Sequence, residues 1–251
     1  MARPATLITG ASAGLGAEFA RQCAARGDEL ILVARRRDRL EALVAELGVG
    51  HVVALDLAAA GAPERLLGEV EALGFTVSRL INNAGFGLAG RFAALPLPRQ
   101  REMIDLNVAA LVALCHLVLP AMIARRDGGI LNVASTAAFQ AGPGMGVYFA
   151  SKAFVLSFTE ALHEEVRSQG VRVSALCPGP TATEFGEVAG VTGERFDRFS
   201  ADARSVVAAG LTGLERNKAI VIPGLMNKLT AQSNRVVPRA AVRRIVAGLK
   251  I

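Results

Sequence analysis

The chain holds a single tyrosine, Tyr148, four residues ahead of Lys152 and thirteen beyond Ser135. A phenol with pKa near ~10 is only about 0.1% ionised at neutral pH, so unaided it is a poor proton-transfer group. Bringing that pKa to about 7 needs roughly 4 kcal/mol of preferential stabilisation of the phenolate. A cation about 4 Å away in a partly screened site supplies an amount of that order. Positions i and i+4 share one helix face, which puts Lys152 in place to lower the pKa of Tyr148. Such a phenol can exchange protons with a carbonyl or alcohol oxygen. Taken alone, the pair is equally a core tyrosine beside a surface lysine.

These side chains sit in a chain of alternating short apolar runs and longer amphipathic ones. That pattern predicts an α/β fold, a doubly wound parallel sheet of Rossmann type with helices on both faces. Strands are expected at about 5–9, 29–34, 51–55, 79–82, 129–134, 171–176 and 219–222. Helices are expected at about 14–26, 38–47, 62–73, 99–126, 147–169 and 201–216. Asp38 and Ser200 look like N-caps, and Gly27, Gly48 and Gly170 are placed to end helices. At 251 residues without a linker or repeat, the chain reads as one domain.

Directly after the first strand comes Thr9-Gly10-Ala11-Ser12-Ala13-Gly14-Leu15-Gly16. Glycines there permit a tight turn, close approach of backbone to a pyrophosphate, and tight packing of the next helix on the sheet. The helix N-terminus then offers free N–H groups and partial positive charge. The expected dinucleotide contacts are Gly10, Ser12, Ala13, Gly14, Leu15 and Gly16. A site for NAD usually carries an acidic residue about 20 positions further on, at the end of the second strand. This chain has Arg35, Arg36 and Arg37 instead. Arginines pair with a 2′-phosphate through charge-assisted hydrogen bonds, so the cofactor is expected to be NADP(H), clamped by Arg35 and Arg36. The alternative is a solvated basic cluster.

Together these motifs resemble the short-chain dehydrogenase/reductase family, in its short single-domain branch. The match continues in order through Asp56-Leu57, Asn82-Asn83-Ala84-Gly85, Asn107, Ser135, Tyr148 with Lys152, Pro178-Gly179, Thr181 and Thr183. The resemblance implies that Asp56 and Leu57 line the adenine pocket, with Asn83, Ala84 and Gly85 along the adenosine half. It implies further cofactor contacts at Pro178 and Gly179, with Thr181 and Thr183 at the nicotinamide carboxamide. Asn107, Ser135, Tyr148 and Lys152 would form the catalytic group. Tyr148 would pass the proton, and Ser135 would hydrogen-bond the reacting oxygen. Lys152 would hold the nicotinamide ribose, and Asn107 a water linking the relay to solvent. The implied activity is interconversion of a ketone and a secondary alcohol with NADP(H). A homodimer or homotetramer is also implied, through the helices at 99–126 and 147–169.

The substrate is less legible. A mobile flap is expected from Thr181 to about Phe199, outside the carboxyl ends of the strands. Phe185, Val188, Val191, Phe196 and Phe199, with Phe139, Met145 and Val147, suggest an apolar lining; Arg195 and Arg198 are possible charged exceptions. That favours a lipophilic or 3-oxoacyl substrate over a small hydroxy acid or sugar alcohol. A non-catalytic NADP-binding regulator is the rival of another class.

Residues 216–251 carry eight Lys/Arg and no Asp or Glu, leaving the first 215 with a net charge of −2. The positive charge is thus local, which argues against a nucleic-acid binder. The segment 225–249 is expected to form two short helices, the second starting near Pro238 with Val242, Ile245, Val246 and Leu249 on one face. Packing on a sister subunit, on an anionic membrane or on an acidic carrier protein are the readings it allows. No apolar run is read as a transmembrane segment. Cys23, Cys115 and Cys177 are scattered, which fits a reducing, cytoplasmic setting. His51, His116 and His163 share no ligand spacing, and no metal is expected.

Overall fold

Seven apolar strands line up in parallel in the order β3-β2-β1-β4-β5-β6-β7 in the computed structural model, which describes residues 2–191, 200–233 and 237–248. They are β1 (Arg3–Thr9), β2 (Leu30–Ala34), β3 (His51–Ala54), β4 (Phe75–Asn82), β5 (Gly128–Val133), β6 (Val171–Leu176) and β7 (Ile220–Val221). The central ones are apolar at nearly every position because both faces are covered. Helices α1 (Gly14–Ala24), α2 (Arg37–Leu47) and α3 (Ala62–Ala72) connect the first four strands. The order reverses between β1 and β4, which opens a crevice at their carboxyl ends.

Next come α4 (Leu97–Ile104), a π-helical turn over Asp105–Ala110, and α5 (Leu111–Arg125). This continuous stretch, Leu97–Arg125, is long and apolar enough to cross a membrane, contrary to the reading that no segment was. Its Leu111, Leu114, Cys115, Val118 and Met122 are buried among strand residues such as Leu80 and Ile130, as in a core helix. Then follow α6 (Gly146–Val166), the short α7 (Phe185–Ala189), α8 (Ala203–Glu215), α9 (Leu225–Ser233) and α10 (Arg239–Gly248). Gly170 ends the α6 region at φ +81°, where an added Cβ would lie 2.3 Å from the Arg126 carbonyl oxygen. Only glycine fits there.

The capping expectations need correction. Helix α2 starts at Arg37, with Arg36 at the N-cap and Asp38 inside the first turn. Helix α8 is capped by Asp202, whose carboxylate accepts from the Ser205 N–H at 3.0 Å, rather than by Ser200. The two C-terminal helices form as expected, the second just after Pro238. Val242 and Val246 of α10 pack into a cluster with Phe86, Met145, Tyr148 and Phe149, while Ile245 is exposed. The C-terminal segment therefore backs the tyrosine of the site; Leu249 lies outside the described residues.

Candidate active site

The crevice at the carboxyl ends of the strands is a cleft of about 630 Å³. Two ends meet in it, one polar and rich in backbone, the other apolar.

At the polar end, the turn after β1 is locked to the turn after β4. Thr9 Oγ1 accepts from the backbone N–H groups of Asn83 (3.0 Å) and Ala84 (2.9 Å), and the Asn83 amide donates to the Thr9 carbonyl at 2.9 Å. Thr9 stands in the glycine motif, yet its anchoring role is visible only once β1 and β4 are neighbours. Gly10, Ser12, Ala13, Gly14 and Leu15 line the cleft. Gly16 does not; it stands where a Cβ would come within 2.1 Å of the Gly10 carbonyl oxygen, so its part is to let α1 pack against the turn. Arg35 and Arg36 stand at the end of β2 on the cleft wall. Arg35 faces Glu102 at 3.3 Å and Asp56 at 3.9 Å. Arg36 donates through Nε and Nη2 to Ser12 Oγ at 3.3 and 3.2 Å. Asp56 also accepts from the Ala58 N–H, closing a turn that sets Leu57 into the wall.

A dinucleotide fits these residues. The glycine turn is bare of side chains where a Cβ would collide, the α1 N-terminus points at it, and a guanidinium stands beside Ser12 at the β2 end.

At the other end, Ser135 follows β5, and Tyr148 and Lys152 lie one turn apart on α6. All three line the cleft, with Tyr148 only 8% and Lys152 only 6% exposed. Ser135 stands beside Tyr148, near enough to pull against the effect of burial on the phenol, and its Oγ donates to the Pro178 carbonyl oxygen at 3.4 Å. Ser135 Oγ also accepts from the Ala137 N–H at 3.1 Å, fixing its orientation. Lys152 Nζ donates to the Val133 carbonyl oxygen at 2.8 Å and lies 5.9 Å from the centre of the Tyr148 ring. The expected lowering of the Tyr148 pKa is absent: burial pushes the phenol up to about 12, opposed by the Ser135 side chain. Burial likewise brings Lys152 down to about 8.

Asn107 also departs from expectation. It does not line the cleft. Its amide donates to the Phe86 carbonyl oxygen (3.0 Å) and to Ser151 Oγ (3.1 Å), and its oxygen accepts from the Phe86 N–H (3.1 Å). It sits in the π-helical turn, an insertion that recurs at functional sites. The side chain thus holds the Gly85–Phe86 backbone against the site. A Cβ on Gly85 would come within 2.8 Å of the Asn107 oxygen, so that glycine is required by the packing.

Pro178, Gly179, Thr181 and Thr183 complete the rim after β6. Thr181 Oγ1 donates to the Gly179 carbonyl oxygen, and Thr183 Oγ1 accepts from the Phe185 N–H. Phe185, Val188, Val191, Met145 and Phe149 form the apolar wall. Phe139 does not join it; it is half-buried against the core cluster, and Val147 lines a separate small cavity. Phe196, Phe199, Arg195 and Arg198 lie outside the described residues. Cys177 is buried and its thiol is pushed up to about 12, so it is an inert filler. Among the described residues no cluster of His, Cys, Asp or Glu could hold a metal ion.

A glycine-turn dinucleotide cleft opening onto a Ser–Tyr–Lys group defines an oxidoreductase of the nicotinamide-dependent class. The family model for short chain dehydrogenases matches residues 4–190. The chain belongs to the short-chain dehydrogenase family. Over 184 residues it is 40% identical to sulfoacetaldehyde reductase 2 of Chromohalobacter salexigens, covering 71% of this chain and 73% of that one. A short-chain dehydrogenase from Sphingobium yanoikuyae, solved in complex with NADPH, superposes with a TM-score of 0.82 at 34% identity, covering 93% of each chain. A 7β-hydroxysteroid dehydrogenase superposes with a TM-score of 0.88 at 26% identity over 98% of this chain and 96% of that one. The protein is an oxidoreductase of alcohol and carbonyl groups, and its cofactor is NADP(H).

Proposed function

We propose that the protein reduces a lipophilic or 3-oxoacyl-type ketone to a secondary alcohol, or runs the reverse reaction, with Tyr148 as the proton-transfer group. The observation that carries this reading is the placement of the Tyr148–Ser135 pair between the glycine-turn end of the cleft and its apolar wall. NADPH, when bound, supplies the hydride. Residues Gly10 to Leu15, Arg36, Asp56, Leu57, Asn83 and Ala84 would hold it, with Lys152, Pro178, Gly179, Thr181 and Thr183 towards its reactive end.

Tyr148, held as the neutral phenol, donates its proton to the carbonyl oxygen. Ser135 hydrogen-bonds the same oxygen and stabilises the negative charge that develops there. Lys152 is close enough to lend a positive charge to the tyrosine as it loses its proton, and to replenish the proton afterwards. Asn107 acts through backbone, keeping Gly85 and Phe86 at the back of the site.

The substrate assignment rests on Phe185, Val188, Val191, Met145 and Phe149, with no charged side chain among them. A ketone panel followed by NADPH absorbance tests the reading. kcat/KM should rise as the carbonyl substituents lengthen; a preference for a small hydroxy acid or sugar alcohol would overturn it.

A subunit interface through α4–α5 and α6 suits the exposed Ile104 and Phe154, the latter stacked on Phe158. The three free, buried cysteines support a reducing compartment such as the cytoplasm.

A further inference from the structure

The first residue of the flap helix region carries a charge that faces the wrong way for a substrate wall. Glu184 follows Thr183 directly, and its carboxylate reaches back across the cleft to the β2 end. One oxygen accepts from Arg36 Nη1 at 3.1 Å, and the other accepts from Arg39. Arg36 is thereby shared: Nε and Nη2 serve Ser12 on the glycine turn, and Nη1 serves the flap. The same segment touches the turn sterically, since a Cβ on Gly14 would lie 3.1 Å from the Thr183 Cβ. Hydrogen bonding from Arg39, then from Arg36, holds the Glu184 carboxyl below the usual carboxylate range. It is thus an anion seated among arginines at the end of β2, where the adenosine ribose of a dinucleotide is bound in this fold.

We propose that Glu184 is a carboxylate plug in the 2′-phosphate seat, and that it sets how strongly the enzyme favours NADP(H) over NAD(H). The proposal rests on the assignment of Arg36 to the 2′-phosphate. A phosphate monoester carries about −1.5 to −2 charges at neutral pH against the single charge of a carboxylate, so it displaces Glu184 from Arg36. Arg39, one turn into α2, keeps the displaced carboxylate nearby. Cofactor entry and flap anchoring therefore compete for one guanidinium. The enzyme holds the 2′-phosphate less tightly than its arginines alone would allow, and binding loosens the start of α7.

The test is calorimetric titration of the full chain with adenosine 2′,5′-bisphosphate and with 5′-AMP, for the wild type, Glu184→Gln and Arg36→Gln. Removing a like charge from a half-exposed site should tighten the bisphosphate about fivefold. 5′-AMP affinity should stay constant, and the gain should shrink in about 0.5 M salt, where the Debye length falls to roughly 4 Å. Unchanged or weaker bisphosphate binding in Glu184→Gln, or an equal change for 5′-AMP, would overturn the plug. Arg36→Gln separates this from the assignment beneath it. If that variant binds bisphosphate as well as wild type, Arg36 is not the clamp and both fail; if it binds weakly while Glu184→Gln is neutral, only the plug fails.

Discussion

The Lys152 ammonium nitrogen sits 5.9 Å from the centre of the Tyr148 ring and spends a hydrogen bond on the Val133 carbonyl oxygen. In this arrangement the ammonium does not lower the resting pKa of the phenol. Each group is instead moved by burial towards its neutral form, the phenol to about 12 and the amine to about 8. Both shifts have consequences that can be measured.

Lys152 costs stability at neutral pH. Its folded pKa lies below its unfolded value of 10.5, so the cost is fully present below pH 8, where the amine is charged in both states. It fades as pH rises from 8 to 10.5 and is gone above, where both states are neutral. The full cost is roughly 3 kcal/mol. Lys152→Met, which gives up one hydrogen bond, should be about 2 kcal/mol more stable than wild type at pH 7 in urea titration. The advantage should disappear by pH 10.5; a variant less stable at pH 7 would contradict the burial argument.

The raised Tyr148 pKa distinguishes the two reaction directions. Reduction consumes the protonated phenol, which persists to about pH 12. Oxidation needs the phenolate, whose population grows about tenfold per pH unit below the pKa. The initial rate of alcohol oxidation should climb with pH through 8 to 10, while the tyrosine imposes no loss on reduction over that range. Parallel initial-rate profiles in both directions provide the check; an oxidation rate flat from pH 7 to 10 would mean the phenol is already ionised.

Asn107 makes a structural forecast that differs from its expected water-holding role. Asn107→Leu preserves volume but strands the Phe86 N–H and C=O in a buried position. Each orphaned group costs about 1–3 kcal/mol, so stability should fall by roughly 2–6 kcal/mol and Tm by roughly 4–24 °C. A thermal melt that matches wild type alongside a collapsed kcat would restore the water-holding role.

These results show which features can be read from residue order. The strand and helix sequence follows from alternation of apolar runs with amphipathic ones, and the glycine turn, Ser135, Tyr148, Lys152 and Arg36 were in reach because each belongs to a local motif. What escaped depends on distant partners. Asp38 looked like a cap because its type is right, but α2 begins at Arg37, with Arg36 at the N-cap beside Ser12 and Glu184. Phe139 looked like lining, yet the short turn after Ser135 lays it half-buried against the core instead. The Tyr148 pKa escapes the sequence because helix spacing shows that Lys152 is near and says nothing of burial or of the Val133 carbonyl that accepts its hydrogen bond. Glu184 was invisible because its partners lie 145 and 148 residues away.

The tyrosine remains the centre of the account. Tyr148→Phe removes one oxygen from a residue that also packs against Phe149 and Phe185, so the fold should survive. Measuring NADPH affinity by fluorescence and ketone reduction by absorbance on the same preparation is the most direct test. The account predicts wild-type cofactor affinity with turnover lowered roughly 10²–10⁴-fold; turnover close to wild type would contradict it.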